Sequence, residues 1–201
     1  VRQAVIDHCS VSEAGDGNMD ITGYSAGASS DITVSYCILA NTWKQQLVKY
    51  NQTTNITFHH NLYYNSGGRV PHLNEGIFDF RNNLIWQWGS YATTLSSGAR
   101  ANIINNYTVQ RPGSSKASSA IWYTDSTSQA WIAGNVLPAQ ETDTSRLSAP
   151  LTVPPVTTQT AEQARAAILD QAGALPRDAY DQQVTDNVRN GVFPPPPPQH
   201  D

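Results

Sequence analysis

The sequence predicts an all-β protein: a right-handed, single-stranded parallel β-helix with a short helical segment at its C-terminal end. Three observations predict it. Short apolar strands recur in register along residues 1–138. A Cys or Asn stands at the same place in every repeat. No repeat has room for a regular helix between its strands, which disfavours leucine-rich and all-helical arrays.

The repeats read Ile6-Asp7-His8-Cys9, Val34-Ser35-Tyr36-Cys37, Phe58-His59-His60-Asn61, Phe80-Arg81-Asn82-Asn83, Ile103-Ile104-Asn105-Asn106 and Ile132-Ala133-Gly134-Asn135. The fourth positions are 28, 24, 22, 23 and 29 residues apart, a spacing that marks a solenoid. An antiparallel sandwich with Asn-rich turns would not produce six in-register matches. The recurring Asn is expected at a bend, where Asn tolerates left-handed backbone angles. Its amide can donate to the next coil and accept from the previous one, giving a ladder. Cys9 and Cys37 replace Asn in the first two coils, which suggests a drier stack. They read either as one bridge or as two small buried side chains, and the second is favoured. Six coils at about 4.8 Å would make a rod of about 29 Å. The first coil starts at Val1 without a covering element, so further N-terminal coils are expected.

Residues 139–158, rich in Pro, Thr and Ser, read as an extended strap that closes a domain spanning 1–158. Residues 159–191 read as a helical segment docked on the β-helix. Thr160 with Gln163 forms a capping-box pattern for a helix over 161–172, closed by Gly173 and Pro176. A second helix is expected from Asp178 at its N-cap to Asn190. Ala164, Ile168 and Leu169 make one apolar stripe, and Tyr180, Val184 and Val188 another. Residues 192–201 contain five successive prolines and read as an extended, exposed tail.

Charge and hydropathy exclude several classes. A net charge of −4 gives no basic footprint for nucleic acid. No apolar run approaches the roughly 18 residues that span a membrane. Two cysteines are too few for a disulfide scaffold or a zinc site. The sequons at Asn51, Asn55 and Asn106 carry little weight in so Asn- and Thr-rich a chain.

The motifs Ile6-Asp7-His8-Cys9-Ser10, Asp16-Gly17-Asn18-Met19-Asp20-Ile21, Phe58-His59-His60-Asn61-Leu62, Gly68-Arg69-Val70-Pro71-His72-Leu73-Asn74 and Phe80-Arg81-Asn82-Asn83 resemble the core of polysaccharide lyase family 1, the pectate lyases. The likeness covers residues 1–138, and the order and spacing of the motifs carry it. Ala174-Leu175-Pro176-Arg177-Asp178 is similar to C-terminal regions of some bacterial members. The resemblance implies a secreted, monomeric enzyme with calcium as cofactor. It would cleave polygalacturonate, an acidic plant polysaccharide, by β-elimination. It also implies site residues. Asp16 and Asp20 match a pair of calcium aspartates, which can share an ion only if the chain bends at Gly17-Asn18. Two carboxylates leave a calcium shell to be completed by substrate and water. Arg69 matches the catalytic arginine, and Lys44 matches a lysine that binds the substrate carboxylate. His60, His72 and Asn74 are expected along the substrate groove, with Asn74 where many members carry a second arginine. Trp86, Trp88 and Tyr91 read as packing residues rather than sugar platforms. Two other functions compete: a non-catalytic carbohydrate-binding β-helix, and a pectin lyase acting on methylated substrate, against which Asp16 and Asp20 argue.

Overall fold

The computed structural model describes residues 1–24, 27–50, 53–114, 119–139, 141 and 144–199. Asn51, one of the sequons, lies outside them. Five coils of three strands each follow one another. The first coil holds β1 (Arg2–Asp7), β2 (Ser10–Ser12) and β3 (Ile21–Thr22), and the second β4 (Ser30–Ser35), β5 (Ile38–Lys44) and β6 (Leu47–Lys49). The third holds β7 (Thr54–His59), β8 (Leu62–Gly68) and β9 (His72–Asn74). The fourth holds β10 (Ile77–Arg81), β11 (Leu84–Trp88) and β12 (Tyr91–Ser96), and the fifth β13 (Arg100–Ile104), β14 (Tyr107–Gln110) and β15 (Ser119–Tyr123). A last strand, β16 (Gln129–Ala133), starts a sixth. Six complete coils were expected. The sixth repeat supplies only this strand and Asn135 before the chain leaves as the strap.

Like strands stack into three parallel sheets, ordered β1-β4-β7-β10-β13-β16, β2-β5-β8-β11-β14 and β3-β6-β9-β12-β15. Alternate side chains of every sheet point into one interior, filled by Val34, Phe58, Tyr63, Phe80, Leu73, Ile85 and Trp88 among others. The fold is therefore a parallel β-helix.

The polar ladder forms at the turn between the first and second sheets. Asn61 Nδ2 donates to Asn83 Oδ1 at 3.0 Å, Asn83 to Asn106 at 3.1 Å, and Asn106 to Asn135 at 2.9 Å. The same oxygens accept the backbone N–H of Asn61, Asn83 and Asn106, and Asn61 Oδ1 accepts that of Cys37. The left-handed backbone, however, is not at the ladder residue. It falls one residue earlier, at His8, Tyr36, His60, Asn82, Asn105 and Gly134, with φ between 48° and 68°. The ladder Asn is thus chosen for its amide, and the preceding residue absorbs the bend. Cys9 and Cys37 are free thiols, and burial pushes the Cys37 thiol up to about 12.

Two helices cover the outer face of the second sheet: α1 (Ala161–Gln171) and α2 (Ala179–Arg189). Thr160 and Gln163 make the reciprocal capping box, and Asp178 caps α2 by accepting from Asp181 N. Both stripes are buried against Ile38, Ala40, Leu62, Tyr64, Leu84 and Trp86. Burying a side chain such as Ile168 or Leu169 contributes about 1.5–3 kcal/mol. Gly173, at φ 92°, donates its N–H to Tyr36 O at 2.8 Å between the helices and the first turn. The strap runs along the first sheet. Asn102 bonds both backbone groups of Leu151, and Asn82 both of Gln159.

The proline segment is extended and mostly exposed, as expected, but it is laid along the second sheet. Asn65 Nδ2 donates to Pro195 O at 2.9 Å, Gln87 Nε2 to Pro194 O, and Phe193 stacks on Trp86 with ring centroids 4.9 Å apart. Asn41, Asn65 and Gln87 form a row of left-handed kinks, φ 50°, 51° and 64°, that turns polar side chains outward to receive it.

Candidate functional site

The loop at residues 13–20 joins β2 to β3 and is folded around Asn18. Asn18 Oδ1 accepts from Ala14 N, while its amide donates to Ala40 O at 2.9 Å and Gln45 Oε1 at 2.8 Å. Thr42 Oγ1 donates to Ala14 O and Asp16 O. A parallel bridge between Gly17 and Lys44 holds the loop beside the end of β5. The bend expected at Gly17-Asn18 is present, and it turns Asp16 and Asp20 toward each other. A Cβ on Gly17 would overlap the Asp20 carboxylate, so glycine is needed for this approach.

Lys44 Nζ lies 2.9 Å from Asp16 Oδ1. Asp20 Oδ1 accepts from Leu47 N at 2.9 Å. Arg69 sits one coil further on, between β8 and β9, at φ 54°. Its carbonyl accepts from Gln46 N, and the next N–H, Val70, donates to Ala92 O. The turn is thereby fixed between its neighbouring coils with the guanidinium left half-buried.

The carboxylates respond oppositely to these neighbours. The hydrogen bond and charge of Lys44, then Arg69, lower the Asp16 pKa. Burial raises that of Asp20 against the Leu47 N–H, and the Asp16 charge raises it further. The Asp20 charge is disfavoured first by its burial and then by Asp16, and a cation bound beside it would relieve both. Among the described residues no three His, Cys, Asp or Glu side chains gather as a metal cluster.

A groove of about 360 Å³ opens beside them, lined by Trp43, Lys44, Gly67, Gly68, Arg69, His72, Ser90, Tyr91, Thr94 and Trp122. Trp43 lies on Gly67, where a Cβ would overlap its ring. His72 Nε2 is 2.7 Å from Ser96 Oγ. Burial, with Arg69 and Lys49 nearby, pushes the His72 pKa down to about 4, so the ring is neutral near pH 7. A larger cavity, about 530 Å³, lies under the proline segment beside Asn41 and Asn65. Its amides are already paired, to Tyr180, to each other and to Pro195.

Five of the residues singled out in the sequence, Asp16, Asp20, Lys44, Arg69 and His72, come together here. His60 and Asn74 do not line the groove. His60 is buried in the turn between the first two sheets, stacked on Tyr36 at 4.8 Å and 2.9 Å from Gln159 Oε1. It belongs to the strap contact. Asn74 shares His72's face of β9, but its amide is spent on Ser96 Oγ and Ser97 Oγ. Trp86 and Trp88 pack as expected, under Phe193 and in the interior. Tyr91 instead reaches the groove and stacks on Trp122. Trp43 and Trp122 were missed. Their signal is the outward phase of strands β5 and β15, which is readable only once the Asn41 kink and the pairing register are known.

Fold and site together define a pectate lyase-like β-helix. No family model matches the chain. Among curated proteins it is 31% identical to a pectate trisaccharide-lyase of Thermotoga maritima over 113 residues, 52% of this chain and 28% of that one. It is 34% identical to a probable pectate lyase C of Aspergillus terreus over 121 residues, 55% of this chain and 27% of that one. The match to pectate lyase 1 of Ambrosia artemisiifolia is 33% over 140 residues, 60% and 34%. The matched stretches thus span about a third or less of these relatives. Among solved structures, a Bacillus pectate lyase in complex with trigalacturonate superposes with TM-score 0.64 at 20% identity, covering 86% of this chain and 68% of that one. The cedar pollen allergen jun a 1 gives 0.71 at 20% identity, 87% and 54%. No helix among the described residues is long and apolar enough to cross a membrane.

Proposed function

We propose that this chain carries the site of a secreted, monomeric pectate lyase that cleaves polygalacturonate by β-elimination to unsaturated oligogalacturonides. One observation supports the reading: Lys44 from the second coil and Arg69 from the third line one groove, and two carboxylates of the first coil stand at its end, Asp16 paired with Lys44 and Asp20 within the field of Arg69 and Lys44. At about 4.8 Å per coil, that set spans about 10 Å along the rod.

In the elimination a base takes the proton on carbon 5 of a uronate residue. Its electron pair forms the double bond to carbon 4, the bond from carbon 4 to the glycosidic oxygen breaks, and that oxygen gains a proton. No water is consumed. The difficulty is a weakly acidic proton and negative charge building on the carboxylate. Asp16 and Asp20 would hold calcium, which when bound would supply Lewis-acid stabilisation of that charge. Lys44, paired with Asp16 in the free protein, is free to turn its ammonium to the substrate carboxylate. Arg69 is assigned the carbon-5 proton. Arginine is normally a poor base, and its place on the groove between Lys44 and His72 together with the family resemblance supports the role. Neutral His72 is available as a hydrogen-bond donor or acceptor to sugar hydroxyls.

The test is ultraviolet absorbance of the unsaturated product from polygalacturonate at alkaline pH, with calcium and then with chelator. Calcium-dependent absorbance that vanishes in Arg69→Ala supports the proposal. Binding of oligogalacturonate by folded protein without any absorbance would replace it with the non-catalytic, carbohydrate-binding reading.

A further inference from the structure

The groove does not have one character along its length. Leu47, His72, Thr94 and Trp122 are register partners on adjacent strands of the third sheet, so they form one row along the rod. Asp20 touches the first of them through Leu47 N, and the row ends two coils past Arg69 at Trp122. Of the residues lining the groove, the cations are Lys44 and Arg69, at the end toward Asp16. The next row carries Asn74 and Ser96, both neutral and bonded to each other. Beyond them lies Asp125. Although desolvation opposes it, hydrogen bonds from Thr127, Ser128 and Ser97 together hold its pKa well below the usual carboxylate range. A second carboxylate arriving at this end would meet no cation in the groove lining, and Asp125 beyond it, whose charge is partly offset by Arg146, which donates to Asp125 O at 2.9 Å and lies over Tyr123.

What this end offers is aromatic surface. Tyr91 and Trp122 stack with ring centroids 3.8 Å apart and planes 13° from parallel. Two aromatics that served only to shield each other would end up covered. Trp122 instead remains 37% exposed, and both rings border the groove. A rigid, flat, half-open aromatic pair beside hydroxyls such as Ser90 suits the C–H face of a sugar ring, with few polar groups fixing its orientation.

We propose that the Tyr91–Trp122 pair is a binding platform for an uncharged, methyl-esterified uronate residue, placed two coils from Arg69 while a free carboxylate occupies the Lys44 end. This rests on the lyase reading of the same groove. The protein would therefore favour partly esterified homogalacturonan over the fully de-esterified polymer. The platform acts by binding, so its loss appears mainly in KM.

The experiment compares kcat/KM on the two polymers for the wild type, Trp122→Ala and Trp122→Phe, with circular dichroism to check folding. The expected result is a preference for the partly esterified polymer that falls about five- to tenfold in Trp122→Ala, as expected from one stacking contact, and is largely kept in Trp122→Phe. An unchanged ratio of the two kcat/KM values in folded Trp122→Ala overturns the proposal. If the wild type releases no unsaturated product from either polymer, the lyase reading fails, and affinity electrophoresis in gels of each polymer decides the platform alone. Stronger retardation by the esterified polymer that Trp122→Ala abolishes supports it, and equal retardation of the two proteins refutes it.

Discussion

Replacing Asn83 with Ala removes the middle of the amide ladder. Asn83 is fully buried. Its Oδ1 accepts from the backbone N–H and the side-chain amide of Asn61, both at 3.0 Å, and its Nδ2 donates to Phe58 O at 3.0 Å and to Arg81 O and Asn106 Oδ1 at 3.1 Å. Losses are unequal across these partners. Asn61 Nδ2 keeps Val34 O, and Asn106 Oδ1 keeps the N–H of residue 83, which alanine retains. The Asn61 N–H loses its acceptor outright, and Phe58 O loses a side-chain donor. A buried polar group left without its partner costs about 1–3 kcal/mol. One complete and four partial losses therefore come to about 3–5 kcal/mol, a large fraction of the roughly 5–15 kcal/mol that holds a typical domain together. The assay is urea unfolding followed by tryptophan fluorescence. With a slope of about 2 kcal/mol per molar, the midpoint should fall by roughly 1.5–2.5 M. Asn83→Cys should cost less, because the chain already runs its second coil with Cys37, whose sulfur accepts from the backbone of Cys9. A midpoint shift worth under about 1 kcal/mol at unchanged slope would refute the claim that the ladder is what satisfies this turn.

Three further outcomes follow from single sites. Gly17→Ala should displace the Asp20 carboxylate while leaving urea stability within about 1 kcal/mol, since the loop is at the surface. Calcium-dependent turnover should drop at least tenfold, and unaltered turnover would separate Asp20 from the metal. Gly173→Ala puts a Cβ against Ile38, Ser10 and Asp181 at a positive φ. It should loosen α1 and α2 from the second sheet, read as faster amide exchange in both helices than in the strands. The third concerns acid. Burial, then the neighbouring His60, pushes the His59 pKa down to about 4. The unfolded chain binds that proton from about pH 6.5, whereas the native state resists it until near 4. Stability should therefore fall as pH drops from about 6.5 to 4 and level off below, with a shallower slope in His59→Asn. Equal slopes in the two proteins would show that His59 does not set the acid sensitivity.

The sequence alone determined the solenoid, because a strand period repeated six times with one buried polar position cannot be satisfied by another stacking. It also determined both helices, since a capping box at Thr160 and a cap at Asp178 are local chemistry. Asp16, Asp20, Lys44 and Arg69 were named through the family resemblance rather than by the repeat; the fold sets them on three successive coils, and their roles are part of the proposal. Position within the repeat does not say which way a side chain points. His60 and Asn74 shared the motifs of the site, yet His60 was drawn under the strap by Gln159 and Asn74 was spent on Ser96 and Ser97. Their partners lie 22 to 99 residues away, so no local pattern announces them. The same holds for the left-handed kinks at Asn41, Asn65 and Gln87, which interrupt the alternation of their strands. Trp43 lies on Gly67 beside the groove, the proline segment is held by Asn65 and Gln87, and Tyr91 meets Trp122 across neighbouring coils, none of which composition alone announces. Composition and period fix what must be buried. Register and backbone handedness, which depend on contacts between coils, decide what is left facing the groove.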